Sequence, residues 1–466
     1  MTTAHKTAVI LCVGLTDAII TDNTPALKAF RDAGITRDLI PHAPAVTCVS
    51  QASILTGKPP AEHGIVANGW FERDSDEIRF WRQSNNLIRA PKIYDTIKRR
   101  DPSITTAKMF WWFNMGSAAD FSATPRPIDK ADGRKIPDCY THPPELRDQL
   151  QHELGRFPLF NFWGPASSIA SSQWIANAAR ITAEQHDPTL TLVYLPHLDY
   201  ALQRHGPNTP EAKNAAAELD RVAAQLIDSF HARDTRIILC SEYGIEPATT
   251  PVHINRVLRE EGLLAVREEL GTEQLDPVAS RAFAVADHQA AHIYVRTKED
   301  IEPVTKALTN TPGIDELLTP EAQRERNLHH RRSGDLLAIA KPHHWFTYDH
   351  WLDEARAPDF ARTVEIFRKP GYDPRELFID PRFKIPKLAV ARRLLLRKLG
   401  FRTPLDVIPL DATLVKGTHG RADTAPEHRP VLITESGSSP AAKRDPIPIE
   451  HTHQVILDHL FAAQPA

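Results

Sequence analysis

Short apolar runs recur along the chain, and most are followed by a turn and then by a stretch with helical spacing. Ala8–Val13 (AVILCV), Leu190–Leu195 (LTLVYL) and Arg236–Cys240 (RIILC) read as strands buried on both faces, because they show no polar alternation. Ala291–Val295 and Leu336–Ala340 read as further strands, and Pro430–Thr434 as a short one. Between them, Ser172–His186, Pro210–Arg233 and Pro251–Gly262 read as helices. The second of these puts Leu219, Val222, Leu226 and Phe230 on one face, with Thr209 as cap and Pro210 in the first turn. Thr24 and Pro25 open an earlier helix that Gly34 ends, and Lys387–Leu399 reads as a late one that ends at Gly400. This alternation predicts an α/β fold: a mostly parallel sheet with helices on both faces. The chain reads as a single domain over 1–466. Residues 70–165, rich in Trp, Phe, Pro and Arg, read as an insertion that roofs the site, and the irregular, Pro-rich 345–413 as a second insertion. The aromatic residues of the first insertion read as core, or as rings that stack on a ligand.

In parallel sheets, ligands sit beyond the carboxyl ends of the strands. Three polar residues fall where a strand is expected to end or a helix to begin: Thr47, Asp199 and Glu242. The segment around Thr47, PHAPAVTCVSQASILTGKPPAEHGIVAN, places its hydroxyl on a tight turn. A helix is expected to start at Ala52–Leu55 and to stop by Gly57. The free N–H groups and dipole of such a helix favour a bound anion, so the Thr47 hydroxyl is a candidate nucleophile toward phosphorus.

Within that segment Pro44, Thr47, Ser53, Thr56, Gly57, Pro60, His63, Gly64, Ile65 and Asn68 follow one another in a distinctive order. The segment resembles the nucleophile region of the type I phosphodiesterase/nucleotide pyrophosphatase branch of the alkaline phosphatase superfamily. The resemblance implies a hydrolase of phosphodiester or pyrophosphate bonds acting on a small-molecule substrate. It implies Thr47 as nucleophile and Asn68 as a donor to the phosphoryl oxygens. It also implies two divalent ions that activate the alcohol and neutralise the phosphoryl charge.

Carried over position by position, the ligand set is altered. Asp199 keeps an aspartate place in PHLDYALQRHGP, but Gln203 stands in a histidine place and His205 lies two residues further on. His419 in Gly417-Thr418-His419-Gly420 keeps the late histidine. Gly14 occupies the first-strand aspartate place, with Asp17 three residues later. In Ser241-Glu242-Tyr243-Gly244, Glu stands for Asp and Tyr for His. Gln and Tyr are poor substitutes for imidazole on zinc. The expectation is one divalent ion rather than two, zinc by preference, held by Asp199, His419 and His205. A second ion would need Glu242 and Asp17. The alternative is a degenerate member that binds a phosphorylated or lipid-like ligand without turnover, with Gln203 and Tyr243 as hydrogen-bonding groups.

Composition narrows the setting. The 466 residues carry a net charge of −3 with a pI near 6.7, so bulk charge does not advertise nucleic acid. No apolar run reaches the ~18–20 residues of a membrane span. Cys12, Cys48, Cys139 and Cys240 are widely spaced and read as buried thiols, and a cytoplasmic setting is the default. Asp287-His288-Gln289-Ala290-Ala291-His292 has a spacing that allows metal ligation, but reads as buried or surface histidine. Residues 382–402 hold eight Arg or Lys and no acid, which reads as a solvated helix face or a peripheral membrane contact.

Overall fold

The computed structural model describes residues 4–131, 134–401, 403–435, 439 and 445–461. Arg402 and most of the Ser/Pro/Lys-rich segment 436–444 lie outside the described residues. The strands of the two main sheets are, in chain order, β1 (Thr7–Cys12), β2 (Ile35–Ile40), β3 (Thr106–Met109), β4 (Phe121–Pro125), β5 (Cys139–His142), β6 (Leu190–Leu195), β7 (Arg236–Cys240), β8 (Ala282–Asp287), β9 (Ala290–Val295), β10 (Ile314–Leu318), β11 (Leu336–Ala340), β12 (Val431–Thr434) and β13 (Ile447–Pro448). The helices used below are α1 (Pro25–Ala33), α2 (Thr47–Thr56), α3 (Ile169–His186), α4 (His197–His205), α5 (Pro210–His231) and α6 (Pro386–Lys398).

The central sheet has nine strands in the order β13-β2-β12-β7-β1-β6-β3-β4-β5. Its middle is parallel: β1 lies between β7 and β6, with Thr7 opposite both Arg236 and Leu190. All six residues of β1 and of β6 are buried, which explains why these strands carry no polar alternation. Toward one edge the sheet turns antiparallel, with β12 between β7 and β2. The α/β fold with a large, mostly parallel sheet is therefore as the pattern implies. The second sheet is smaller and wholly antiparallel, in the order β8-β9-β11-β10. The run 287–292 spans the tight turn between β8 and β9, in which His288 takes a left-handed φ of 57°, and its last three residues belong to β9.

The long helix α5 buries Leu219, Val222, Leu226 and Phe230, as its periodicity requires, and Thr209 accepts from the Ala212 N–H to cap it. The cap at α1 differs from expectation. Thr24 makes no capping bond there, and Asp220 of α5 accepts from the N–H groups of Ala26 and Leu27 instead. A carboxylate delivered from a neighbouring helix satisfies the same orphan donors and also ties α1 to α5. All four cysteines are buried free thiols.

Candidate active site

Three adjacent parallel strands, β7, β1 and β6, end side by side. Their exits deliver Glu242, Gly14 and, on the first turn of α4, Asp199. Helix α2 supplies the fourth wall. All ten of its residues are buried, and Thr47 is its first residue, preceded by an extended Val46. The helix thus begins at Thr47 and not at Ala52. Thr, Cys, Val and Ser are indifferent helix formers, so burial rather than propensity sets this boundary. Gly57 ends α2 in the left-handed region (φ 66°), and its N–H donates to the Ser53 carbonyl.

Asn68 is fixed at the start of α2. Its Oδ1 accepts from the Cys48 N–H at 3.0 Å. Its own N–H and Nδ2 donate to Asp287 at 2.7 and 3.1 Å. One Nδ2 hydrogen remains for a further acceptor. Burial pushes the Asp287 carboxyl up to about 7, against the lowering effect of the two Asn68 bonds.

The Thr47 hydroxyl donates to Glu242 Oε1 at 2.8 Å and lies 3.3 Å from the Tyr243 hydroxyl. Gln51, one turn along α2, donates from Nε2 to the other oxygen of Glu242 at 3.1 Å. Gln51 is held in turn by the Trp112 N–H, which donates to its Oε1. Burial pushes the Glu242 carboxyl up to about 8. Bonds from Thr47 and Gln51 oppose the shift, and the nearby Asp199 adds to it. Tyr243 donates its hydroxyl to Asp199 Oδ1 at 3.2 Å, while Gln203 donates from Nε2 to Asp199 Oδ2 at 2.8 Å. Burial likewise raises the Asp199 carboxyl, to about 7. The Tyr372 hydroxyl closes the chain by donating to Gln203 Oε1 at 3.0 Å.

A column of four rings runs beside this hydrogen-bonded chain. Tyr243 stacks on His419, His419 on His288, and His288 on Tyr372, with centroids 3.6, 3.6 and 3.9 Å apart. His419 Nδ1 lies 2.7 Å from the Ala45 carbonyl, so Nδ1 carries the proton and Nε2 the lone pair. That Nε2 is buried without a partner. Burial lowers the imidazole to about 3, which keeps it neutral.

The sequence resemblance implies divalent metal, so the residues present can be tested against that role. His419 fits, because its unpartnered Nε2 lone pair and backbone-anchored Nδ1 suit a metal ligand. The other groups do not. Both Asp199 oxygens already accept from Gln203 and Tyr243. His205 lies at the exposed end of α4, lining a surface cleft with His197, Glu211 and Glu218, and is not brought to His419. Asp17 is on the surface, paired with Arg31. A Cβ on Gly14 would sit 3.0 Å from Leu202 Cδ1, so Leu202 already fills space toward the missing aspartate. Among the described residues, no group of three or more His, Cys, Asp or Glu is placed to hold an ion. Zinc requires at least three such ligands in catalytic sites, and this set does not supply them.

Thr47, Asn68, Asp199, Gln203, Glu242, Tyr243 and His419 are thus brought together, although some are separated by hundreds of residues. Gln51, Asp287, His288 and Tyr372 belong to the same assembly; Gln51 and Tyr372 were not identified from sequence, and Asp287 and His288 were noted there only as part of a histidine cluster. Gln51 was legible in principle, because a helix started at Thr47 places residue 51 on the same face. Tyr372 sits in an irregular segment with no local signal. A cavity of about 280 Å³ beside Gly14, lined by Thr16, Asn23, Leu202, Lys213 and Ile245, does not include Thr47.

Comparison with known proteins places this geometry. An uncharacterised pyrophosphatase/phosphodiesterase of Schizosaccharomyces pombe is 22% identical over 45% of this chain and 38% of its own length. Ectonucleotide pyrophosphatase/phosphodiesterase 1 of Saccharomyces cerevisiae is 24% identical over 46% of this chain and 29% of its own. The chain therefore spans well under half the length of these relatives. Among solved structures, phosphonoacetate hydrolase from Sinorhizobium meliloti, in complex with phosphonoformate, superposes with a TM-score of 0.62 at 17% identity, covering 99% of this chain and 96% of that one. Murine ectonucleotide pyrophosphatase/phosphodiesterase 5, in complex with AMP, gives 0.59 at 13% identity, with the same coverage. At such identities these structures establish a shared fold. A family model described as type I phosphodiesterase/nucleotide pyrophosphatase matches residues 7–373, and the chain belongs to that family.

Proposed function

We propose that this protein hydrolyses a small phosphodiester or pyrophosphate through Thr47, with Glu242 as the proton acceptor. The observation that carries this reading is the 2.8 Å bond from the Thr47 hydroxyl to Glu242 at the buried start of α2. A carboxyl raised to about 8 is a stronger base than an ordinary carboxylate, which suits it to an alcohol. Thr47 Oγ1 attacks phosphorus as its proton passes to Glu242. The bond from phosphorus to the leaving oxygen breaks, and that oxygen takes a proton from solvent. Water then attacks the phosphoryl-threonine and gives a proton to solvent, the bond from phosphorus to Thr47 Oγ1 breaks, and Glu242 returns its proton to the Thr47 oxygen. The α2 N-terminus and the remaining Asn68 N–H are the groups available to the phosphoryl oxygens.

Trp112, just after the core strand β3, bonds Gln51, and Tyr372 bonds Gln203, so aromatic residues border the site. A small phosphate ester such as a nucleotide would enter beneath these aromatics. The test is turnover of a bis-aryl phosphate and a dinucleotide by the full chain. Thr47→Ala should lose activity by on the order of a thousandfold or more, and Thr47→Ser should retain part of it. Equal activity in Thr47→Ala rejects the mechanism.

A second reading, ligand binding without turnover, is favoured by the capping of Asp199 by Gln203 and Tyr243. Binding of AMP or inorganic phosphate by the wild-type chain, with no hydrolysis of mono- or diester reporters, would support it.

A further inference from the structure

Helix α6 differs from every other long helix described above. Among the described residues, no other element packs extensively along it. Leu388, Leu395 and Leu399, at i, i+7 and i+11, fall on one stripe and are 62%, 56% and 64% exposed. Ile385, just before the helix, and Phe401, just after it, are each 61% exposed. Exposed large apolar side chains are common singly, but a contiguous set marks an interaction surface.

The helix is nevertheless tethered. Arg393 pairs with Asp406, and its guanidinium lies over the Phe383 ring at 4.9 Å. Gly400 ends the helix with a left-handed φ of 91°, and the Phe401 N–H closes on the Leu396 carbonyl. The leucine stripe is therefore presented by a held element rather than by a loose tail.

Charge decides what the stripe fits. The stretch 382–402 contains eight Arg or Lys and no Asp or Glu, in a chain whose net charge is −3. Among the described residues, Lys384, Arg392 and Lys398 have no acidic partner. A protein groove that accepted the leucines would not need so many free cations around them. A bilayer surface with anionic headgroups accepts both: leucines enter the acyl boundary while the basic residues pair with phosphates. At 13 residues, α6 is too short to cross a membrane, and no helix among the described residues is long and apolar enough to do so.

We propose that α6 is an interfacial helix that docks this protein on an anionic lipid surface through Leu388, Leu395 and Leu399. The test is sedimentation of the full chain with phosphatidylglycerol/phosphatidylcholine vesicles and with pure phosphatidylcholine vesicles. The chain should sediment with the anionic vesicles and much less with the neutral ones, and salt should release it. Removing Arg392 and Lys398 charges (Arg392→Gln with Lys398→Gln) should weaken partitioning roughly fivefold per charge, about 25-fold for the pair. Leu388→Ser with Leu395→Ser and Leu399→Ser should abolish it while leaving circular dichroism and reporter hydrolysis unchanged. Failure to sediment with either vesicle overturns the proposal. So does binding that survives the leucine changes, which would mark a non-specific polyanion contact. A leucine variant that dissociates an oligomer in sedimentation velocity, without vesicle binding by the wild type, assigns the face to a second copy of the chain instead.

Discussion

The ring of Tyr243 lies flat on the ring of His419, with centroids 3.6 Å apart and planes 7° apart. The sequence resemblance implies a histidine at the Tyr243 position, serving an ion. Here a phenol packs against His419, donates its hydroxyl to Asp199 and lies 3.3 Å from the Thr47 hydroxyl. A phenol thus stands where the resemblance implies an imidazole, and the carboxyls beside it are raised rather than lowered.

A chelator prediction comes from that exchange. Dialysis of the purified chain against a strong chelator should leave both its thermal midpoint and its reporter hydrolysis unchanged. Loss of activity that zinc or manganese restores would show that Asp199 and His419 recruit an ion despite Gln203 and Tyr243.

The pH dependence of turnover should report Glu242. The base must be ionised to take the Thr47 proton, and burial raises its carboxyl to about 8. The rate should climb with pH and level off above about 8, with Glu242→Gln inactive across the range. A plateau reached near pH 5 would place the base elsewhere.

Stability carries the opposite sign. A carboxyl whose folded value is raised favours the native state while it is protonated. Its contribution is full below the ordinary glutamate value of 4.5 and is lost as pH rises through about 8. Buried histidines such as His288 and His419, held low by burial, lose stability as pH falls below 6.5. Buried Lys108, also held low by burial, gains stability as pH rises toward 10.5, in the same direction as the histidines and against the glutamate. Comparing urea unfolding of wild type with Glu242→Gln isolates the glutamate. The wild type should weaken relative to the variant as pH rises from 5 to 8.5, by at most about 1.4 kcal/mol per pH unit. Parallel curves would refute the raised carboxyl.

Asp287 is expected to act through Asn68. Asp287→Ala leaves two buried Asn68 donors without their acceptor and should cost about 1–3 kcal/mol in urea unfolding. It should also reduce kcat more than it raises KM, because Asn68 loses its fixed place at the start of α2. A stability loss with unchanged kcat would reduce Asp287 to a structural role.

Much of this arrangement was legible along the chain. The strands Leu190–Leu195, Arg236–Cys240 and Leu336–Ala340 were readable to the residue, because burial on both faces leaves an uninterrupted apolar run. β2 was not, since Thr36, Arg37 and Asp38 interrupt it on a half-buried strand near the sheet edge. Helix α4 was hidden for a related reason: Asp199 and Gln203 are polar residues buried in the site, and His197 is a buried polar residue paired with Glu218. Thr47, Asp199, Glu242 and His419 could be named from motif order. The contacts of Tyr372 and His288 depend on tertiary packing between distant segments, and nothing local encodes them.

The central claim is that Thr47 becomes covalently bonded to phosphorus. Rapid quenching of the full chain during turnover of a phosphate reporter, followed by peptide mass spectrometry, tests it directly. The peptide containing Thr47 should carry the phosphoryl fragment, and Thr47→Ala should carry none. Turnover with that peptide unmodified, or with the fragment on another residue, would contradict the account.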